Sequence, residues 1–106
     1  MLKKFIDFFS KNKKYENFVI NNQAVIIALD AETNRRKGNL KDAMDLINRA
    51  IQLEPDNDMY YVTKSLIFFD SGEIKDALSE INKALKLNNK VLRYKNLKKE
   101  ILSKLR

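Results

Sequence analysis

Apolar residues recur every three or four positions along two stretches of the chain, which is the spacing that lines up one face of an α-helix. In the first stretch they are Leu40, Ala43, Met44, Ile47, Ala50 and Ile51, and in the second they are Ile74, Ala77, Leu78, Ile81, Ala84 and Leu85. Helical signals cover nearly all of the remaining chain, and no segment alternates apolar and polar residues as a half-exposed strand would. The pattern therefore predicts an all-α protein.

The two stretches are copies of one passage. GNLKDAMDLINRAIQL begins at Gly38, and GEIKDALSEINKALKL begins 34 residues later at Gly72. Each glycine separates two predicted helices, at a place where a left-handed C-terminal cap favours a residue without a Cβ atom. Pro55 follows the second helix and ends it, because proline lacks the amide hydrogen that a continuing helix needs. The chain is therefore predicted to contain two helix–glycine–helix units.

A 34-residue unit with this layout resembles the tetratricopeptide repeat. The resemblance covers residues 24–57 and 58–91, and it places small residues where two helices cross closely. Those small residues are Ala31, Ala43, Ala50, Ser65, Ala77 and Ala84, while Tyr61 and Phe68 match the large residues of the first helix. The resemblance implies antiparallel helix-turn-helix repeats stacked as a right-handed superhelix.

Two such repeats are too few for a stable array, since each unit buries its apolar face only against a neighbour. The flanking segments 1–23 and 92–106 are therefore predicted to add an N-terminal amphipathic helix and a C-terminal capping helix, giving about six helices in one domain. The apolar stripe of the capping helix consists of Val91, Tyr94, Leu97, Ile101 and Leu105.

The N-terminal segment has an apolar face opposite lysines, and three interpretations of it remain open. That face consists of Leu2, Phe5, Ile6, Phe8 and Phe9. In the first interpretation this face packs on the first repeat as an extra helix. In the second it lies on an anionic membrane surface, and in the third it contacts a second copy or a partner. The first interpretation is favoured because so small a core needs the additional apolar surface.

The net charge of +7 is unevenly distributed along the chain. Residues 1–23 carry +3 and residues 82–106 carry +8, whereas the repeated body between them carries −4. The basic C-terminal residues are Arg93, Lys95, Lys98, Lys99, Lys104 and Arg106. They are spread round the predicted capping helix without a known recognition motif, so we expect a solubilising face, with nucleic-acid binding as the alternative.

The residues that most often perform chemistry in proteins are missing. The chain has no cysteine and no histidine, which excludes disulfides, thiolate chemistry and the usual zinc sites. The alternating Asp56 and Asp58 lack the glycine and the distant glutamate of a calcium loop, and with Asn57 they more plausibly cap a helix. Other acidic residues, namely Asp42, Asp45, Asp76 and Glu80, are expected on helix surfaces. We expect no enzymatic activity and no cofactor or metal. Asp7 interrupts the N-terminal apolar run and no cleavage site follows it, so a cytoplasmic location is expected, and membranes are not expected partners.

The resemblance also implies a binding surface, because the first helix of each tetratricopeptide repeat lines a concave face. The corresponding residues are Val25, Ala28, Glu32, Arg35 and Arg36 in the first repeat and Met59, Val62, Leu66, Phe69 and Asp70 in the second. Leu66 and Phe69 are the expected apolar anchors, and Arg35 and Arg36 are the expected polar selectors. Some family members clamp a C-terminal carboxylate with basic and amide side chains. Ala28 and Glu32 occupy the first two clamp positions, so that activity is not transferred.

The second copy's first helix, DMYYVTKSLIFFDS, is apolar on both sides, so both of its faces need to be covered. Its excess apolar surface has three candidate partners: a peptide or helix of another protein, the chain's own N-terminal helix through Phe5 and Phe9, or a second copy in a homodimer. The sequence is most consistent with a small protein–protein interaction adaptor. The alternatives are a homo-oligomerising structural unit and a basic binder of nucleic acid or membrane surfaces.

Overall fold

The computed structural model describes residues 22–105, and this part of the chain contains five α-helices and no strand. The helices are α1 Gln23–Arg36, α2 Leu40–Leu53, α3 Asp58–Asp70, α4 Ile74–Leu87 and α5 Leu92–Ser103. The all-α prediction is confirmed. Residues 1–21 and 106 lie outside the described residues, and with them lies nearly all of the predicted N-terminal helix.

The helices form antiparallel hairpins that stack side by side. The most extensive packing joins α1 to α2 and α3 to α4, and smaller interfaces join α2 to α3 and α4 to α5. A direct contact between α1 and α3 shows that the first helices of successive hairpins are neighbours. The predicted helix-turn-helix arrangement is therefore confirmed, with α5 closing the stack.

The two glycine turns have the predicted left-handed conformation. Gly38 has φ +85° and Gly72 has φ +80°. The amide of Gly38 donates to the carbonyl of Arg35, and the next amide donates to the carbonyl five residues back; the same pair of bonds recurs at Gly72. These bonds define a Schellman motif, which satisfies carbonyls at the end of a helix. A Cβ atom at either glycine would meet nothing within 4 Å, so the backbone angle alone explains the preference for glycine.

The small residues of the repeat lie where the helices cross. Ala31, Ala43, Ala50, Ala77 and Ala84 are fully buried. Ser65 is equally buried, and its Oγ donates a hydrogen bond of 2.7 Å to the carbonyl of Ala77 on α4. A larger side chain at these positions would push the helix axes apart. The prediction from the repeat pattern is confirmed at all six positions.

The core consists of two clusters that share α3. Tyr60 and Ile67 are buried with the first hairpin, whereas Tyr61 and Phe68 are half-buried against a second cluster of α4 and α5 residues. The sequence identified Tyr61 and Phe68 as core residues but not the preceding residue of each pair. Because α3 packs against the first hairpin on one side and against α4 and α5 residues on the other, both of these sides are apolar.

Two expectations about individual residues are wrong. Leu105 does not join the buried stripe of α5, where Tyr94 and Ile101 are fully buried, because it follows the end of the helix and stays exposed. Glu80 was expected on a helix surface, but it is buried at the α3–α4 interface, with Lys83 Nζ at 3.1 Å and Lys64 Nζ at 4.0 Å from its Oε1. The two ammonium groups stabilise the charge through Oε1, whereas the buried Oε2 has no hydrogen-bond partner within residues 22–105.

Candidate functional site

A groove with a volume of about 650 Å³ opens between α1, α3 and α5. Each of these helices contributes one stripe of side chains. The stripes are Val25, Ala28, Leu29, Glu32, Arg35 and Arg36 from α1; Asn57, Met59, Tyr60, Val62, Thr63 and Leu66 from α3 and its N-cap; and Arg93, Asn96, Leu97 and Glu100 from α5. We refer to this set as the groove.

The local sequence explains how each helix presents its stripe. The α1 and α5 residues follow the spacing i, i+3, i+4, i+7, which keeps side chains on one face of a helix. Asn57 fixes the start of α3, because its side-chain oxygen accepts a hydrogen bond of 3.1 Å from the amide of Met59. The predicted capping role therefore belongs to Asn57. Asp58 instead accepts a hydrogen bond of 2.8 Å from the Tyr94 hydroxyl, which joins α5 to the start of α3.

Eight of the ten residues predicted for the concave face lie together in the groove. They are Val25, Ala28, Glu32, Arg35, Arg36, Met59, Val62 and Leu66. The other two lie outside its lining. Phe69 is half-buried against the second core cluster, and Asp70 accepts a hydrogen bond of 2.7 Å from Nη1 of Arg35. Of the two expected apolar anchors, only Leu66 reaches the groove.

Other groove residues were missed by the sequence analysis. Leu29 follows Val25 by four positions, a spacing that was available as a signal. The α5 residues were also accessible, through the 34-residue period. Continuing Met59, Val62 and Leu66 by 34 residues gives Arg93, Asn96 and Glu100, which line the groove. The helix α5 therefore keeps the register of α1 and α3, and its groove residues were missed because α5 was treated only as a capping helix.

The exposed part of the groove is mainly aliphatic. Leu29 is 64% exposed, Met59 is 56% exposed and Val25 is 38% exposed, although each lies in a concave surface. Val62 and Leu66 are half-buried beside them. Because apolar side chains gain free energy when they leave water, this surface favours an apolar ligand.

A network of ion pairs lies at the end of the groove where α1 terminates. Arg35 donates to both carboxylate oxygens of Glu32, at 2.6 and 3.0 Å, and to Asp70 on α3. The hydrogen bonds with Glu32 raise the pKa of the Arg35 guanidinium, against the effect of burial, and Asp70 adds to the increase. The hydrogen bond from Arg35 lowers the pKa of Glu32, opposed by burial and assisted by Arg36. Arg35 is therefore fully engaged within the chain and links α1 to α3.

Three charged groups at the groove rim remain more available. The Arg36 side chain is 74% exposed, and among the described residues it donates only through Nε, at 3.1 Å from Glu32. Arg93 has its guanidinium 5.7 Å from the Tyr94 ring centroid, and it forms no salt bridge within residues 22–105. The exposed carboxylate of Glu100 likewise has no ion-pair partner in that range.

The remaining basic residues of α5 lie away from the groove lining. Lys95, Lys99 and Lys104 are exposed, and Lys98 is half-buried. Their part in nucleic-acid binding stays a prediction. Within residues 22–105, no group of three or more acidic side chains is placed to hold a metal ion. In the same range, no helix combines the length and the apolar character required to span a bilayer.

No model of a known protein family matches the chain, and no curated protein matches it significantly. The geometry of the groove is therefore the basis for assigning a function.

Proposed function

We propose that this chain is a small tetratricopeptide-repeat-type adaptor that binds a peptide or helix of a partner protein in the groove. The 34-residue period, the paired Schellman turns and the buried small residues support the repeat type. The observation that carries the binding function is the aliphatic surface of Val25, Leu29 and Met59, which lies exposed inside a concavity built by three helices.

The groove is suited to binding because its walls are fixed within the chain. Arg35 joins α1 to Asp70 of α3, and the Tyr94 hydroxyl joins α5 to Asp58 of α3. A ligand therefore meets a preorganised surface and need not order the helices, which reduces the free-energy cost of binding. Fully burying an aliphatic side chain contributes about 1.5–3 kcal/mol, so a few such contacts support a stable complex.

The test compares two pairs of charge-introducing substitutions. Leu29→Glu/Met59→Glu places carboxylates in the groove at positions already exposed to water. The matched control, Leu53→Glu/Leu87→Glu, makes the same change at the ends of α2 and α4. There Leu53 is 52% exposed and Leu87 is 44% exposed. Both variants should keep the wild-type circular dichroism spectrum, because none of the four side chains is part of the core.

Affinity capture from a lysate of the native organism, at moderate salt, then reads out the groove. We expect wild type and control to retain the same partner protein and the groove variant to lose it. Retention by all three proteins would show that the groove is not the binding surface, and the proposed function would then be wrong.

Self-association through the same aliphatic surface is the second candidate, since exposed apolar patches often mark interfaces. Sedimentation equilibrium separates the two functions. A homodimer that Leu29→Glu/Met59→Glu converts to a monomer, with no other protein captured, would favour the structural unit over the adaptor.

We expect the adaptor to act in the cytoplasm, as the sequence analysis indicated.

A further inference from the structure

We infer that the occupant of the groove is an acidic amphipathic segment of a partner protein, with apolar residues in the middle and a carboxylate toward each end. This inference rests on the proposed function and specifies the chemistry of the partner. It follows from the distribution of engaged and available charges along the groove.

The groove lining contains three arginines and two glutamates, but these charges are not equally available. Glu32 receives hydrogen bonds from both Arg35 and Arg36, so its negative charge is compensated within the chain. Arg35 is compensated in turn by Glu32 and Asp70. The charges of this network sum to zero, so Arg36 meets a ligand through its unused donors, whereas Arg93 also brings a charge that has no salt bridge within residues 22–105.

Both available arginines retain unused hydrogen-bond donors. A guanidinium has five N–H donors in a fork that fits a carboxylate. Within residues 22–105 Arg36 donates only its Nε–H, to Glu32, which leaves its terminal nitrogens at the rim. Arg93 has no salt bridge within residues 22–105 and lies over the Tyr94 ring, which supports the guanidinium from one side.

The positions of these two arginines set the pattern of the ligand. Arg36 ends α1, whereas Arg93 lies in the first turn of α5. In a stack of antiparallel hairpins α1 and α5 run in the same direction, so the two arginines lie toward opposite ends of the groove. The rise of 1.5 Å per residue along α1 puts them roughly 15 Å apart along the groove. The aliphatic surface lies between them, which predicts an acid–apolar–acid order in the ligand.

The same charges disfavour the other two occupants. The chain's own segment 1–23 carries five lysines against Asp7 and Glu16, so its charge has the same sign as the arginines at the rim. A second copy that used the same groove would bring its own Arg36 and Arg93 to this rim, and like charges oppose association. Glu100, on α5, is the one available carboxylate of the described lining. Its negative charge repels acidic side chains, so along α5 the acids of the ligand are confined to the end near Arg93.

A peptide-display library of random 16-residue sequences, selected on the immobilised full-length protein, tests the inference. We expect the enriched peptides to combine an apolar centre with Asp or Glu on both sides. Selection on Arg36→Glu/Arg93→Glu should replace those acids with Lys or Arg. The matched control is Lys41→Glu/Lys75→Glu, which changes the net charge equally at exposed positions in the first turns of α2 and α4.

Fluorescence anisotropy with the most enriched acidic peptide gives the magnitude. Reversing both arginines replaces two attractive pairs with repulsive ones and should weaken binding roughly fivefold, since losing one exposed pair changes affinity by up to about that factor. The Lys41→Glu/Lys75→Glu control should change the dissociation constant less than about twofold, because its charges lie on the other side of the hairpins.

The outcomes separate this inference from the proposed function. Apolar peptides without acids, bound equally by wild type and the arginine variant but lost in Leu29→Glu/Met59→Glu, would overturn the inference and leave the adaptor function intact. Peptides that still bind Leu29→Glu/Met59→Glu would overturn both. If Phe5→Glu/Phe9→Glu raises the affinity for acidic and neutral peptides alike by tenfold or more, the N-terminal segment is the occupant and the inference is wrong.

Discussion

Alanine in place of Gly72 tests the turn on which the repeat depends. The left-handed conformation costs a residue with a Cβ atom roughly 1–2 kcal/mol. The same change restricts the unfolded chain and returns about 0.4–1 kcal/mol. An added Cβ meets no neighbour within 4 Å, so no steric cost is added. The free energy of unfolding should therefore fall by about 1 kcal/mol.

Gly38 provides an internal replicate, because it has nearly the same φ and the same open surroundings. Gly38→Ala should have the same effect, and the double variant should show about the sum, since the two turns share no contacts. Asparagine tolerates the left-handed region better than alanine, so Gly72→Asn should be less destabilising.

Urea unfolding followed by circular dichroism at 222 nm measures these differences from the shift in midpoint at constant slope. The control is Lys37→Ala, an exposed neighbour with right-handed backbone angles, which should change stability by less than about 0.5 kcal/mol. Neutral or stabilising effects of alanine at both glycines would contradict the left-handed turns and the argument built on them.

Three further predictions follow from the packing and the charges. Ile67→Ala should lower the free energy of unfolding by about 2–5 kcal/mol, because it opens a cavity in the first core cluster. The control Ile26→Ala, at an exposed site, should lower it by less than about 1 kcal/mol, and urea unfolding measures both. Tyr94→Phe should cost about 1 kcal/mol in the same assay, since it removes the hydrogen bond to Asp58. The pKa of Glu32 is lowered below its usual 4.5. Its stabilising contribution is therefore present above pH 4.5 and is lost as the pH falls through the lowered pKa. Glu32→Gln should reduce the acid sensitivity of the urea unfolding midpoint.

Repetition explains most of what the sequence alone could predict. Two copies of one passage identify their shared features, so Gly38 and Gly72, or Ala43 and Ala77, are assigned together and confirm each other. Features that occur once have no such support. The hydrogen bond from Tyr94 to Asp58 is one example: it joins α5 to α3 across 36 residues, and no local pattern encodes it.

The same limit applies to burial across an interface. Phe69 is as apolar as Leu66 in the sequence, yet it packs against the second cluster while Leu66 reaches the groove, because α3 has neighbours on both sides. Glu80 is a charged residue that its sequence pattern places on a helix surface, yet it is buried at the α3–α4 interface beside Lys64 and Lys83. Both outcomes depend on tertiary contacts, so the helix pattern could place the groove but not all of its lining.

The shared position of α3 has a consequence for how such a chain can grow. Its side facing the first hairpin carries Tyr60 and Ile67, and its other side carries Tyr61 and Phe68, so one helix holds the surfaces needed to follow one unit and to precede another. An additional copy of residues 58–91, inserted after the existing one, would meet a surface that already fits it. Each insertion would lengthen the groove by one stripe of side chains. Duplication alone can therefore adjust the length of the partner segment that the groove binds.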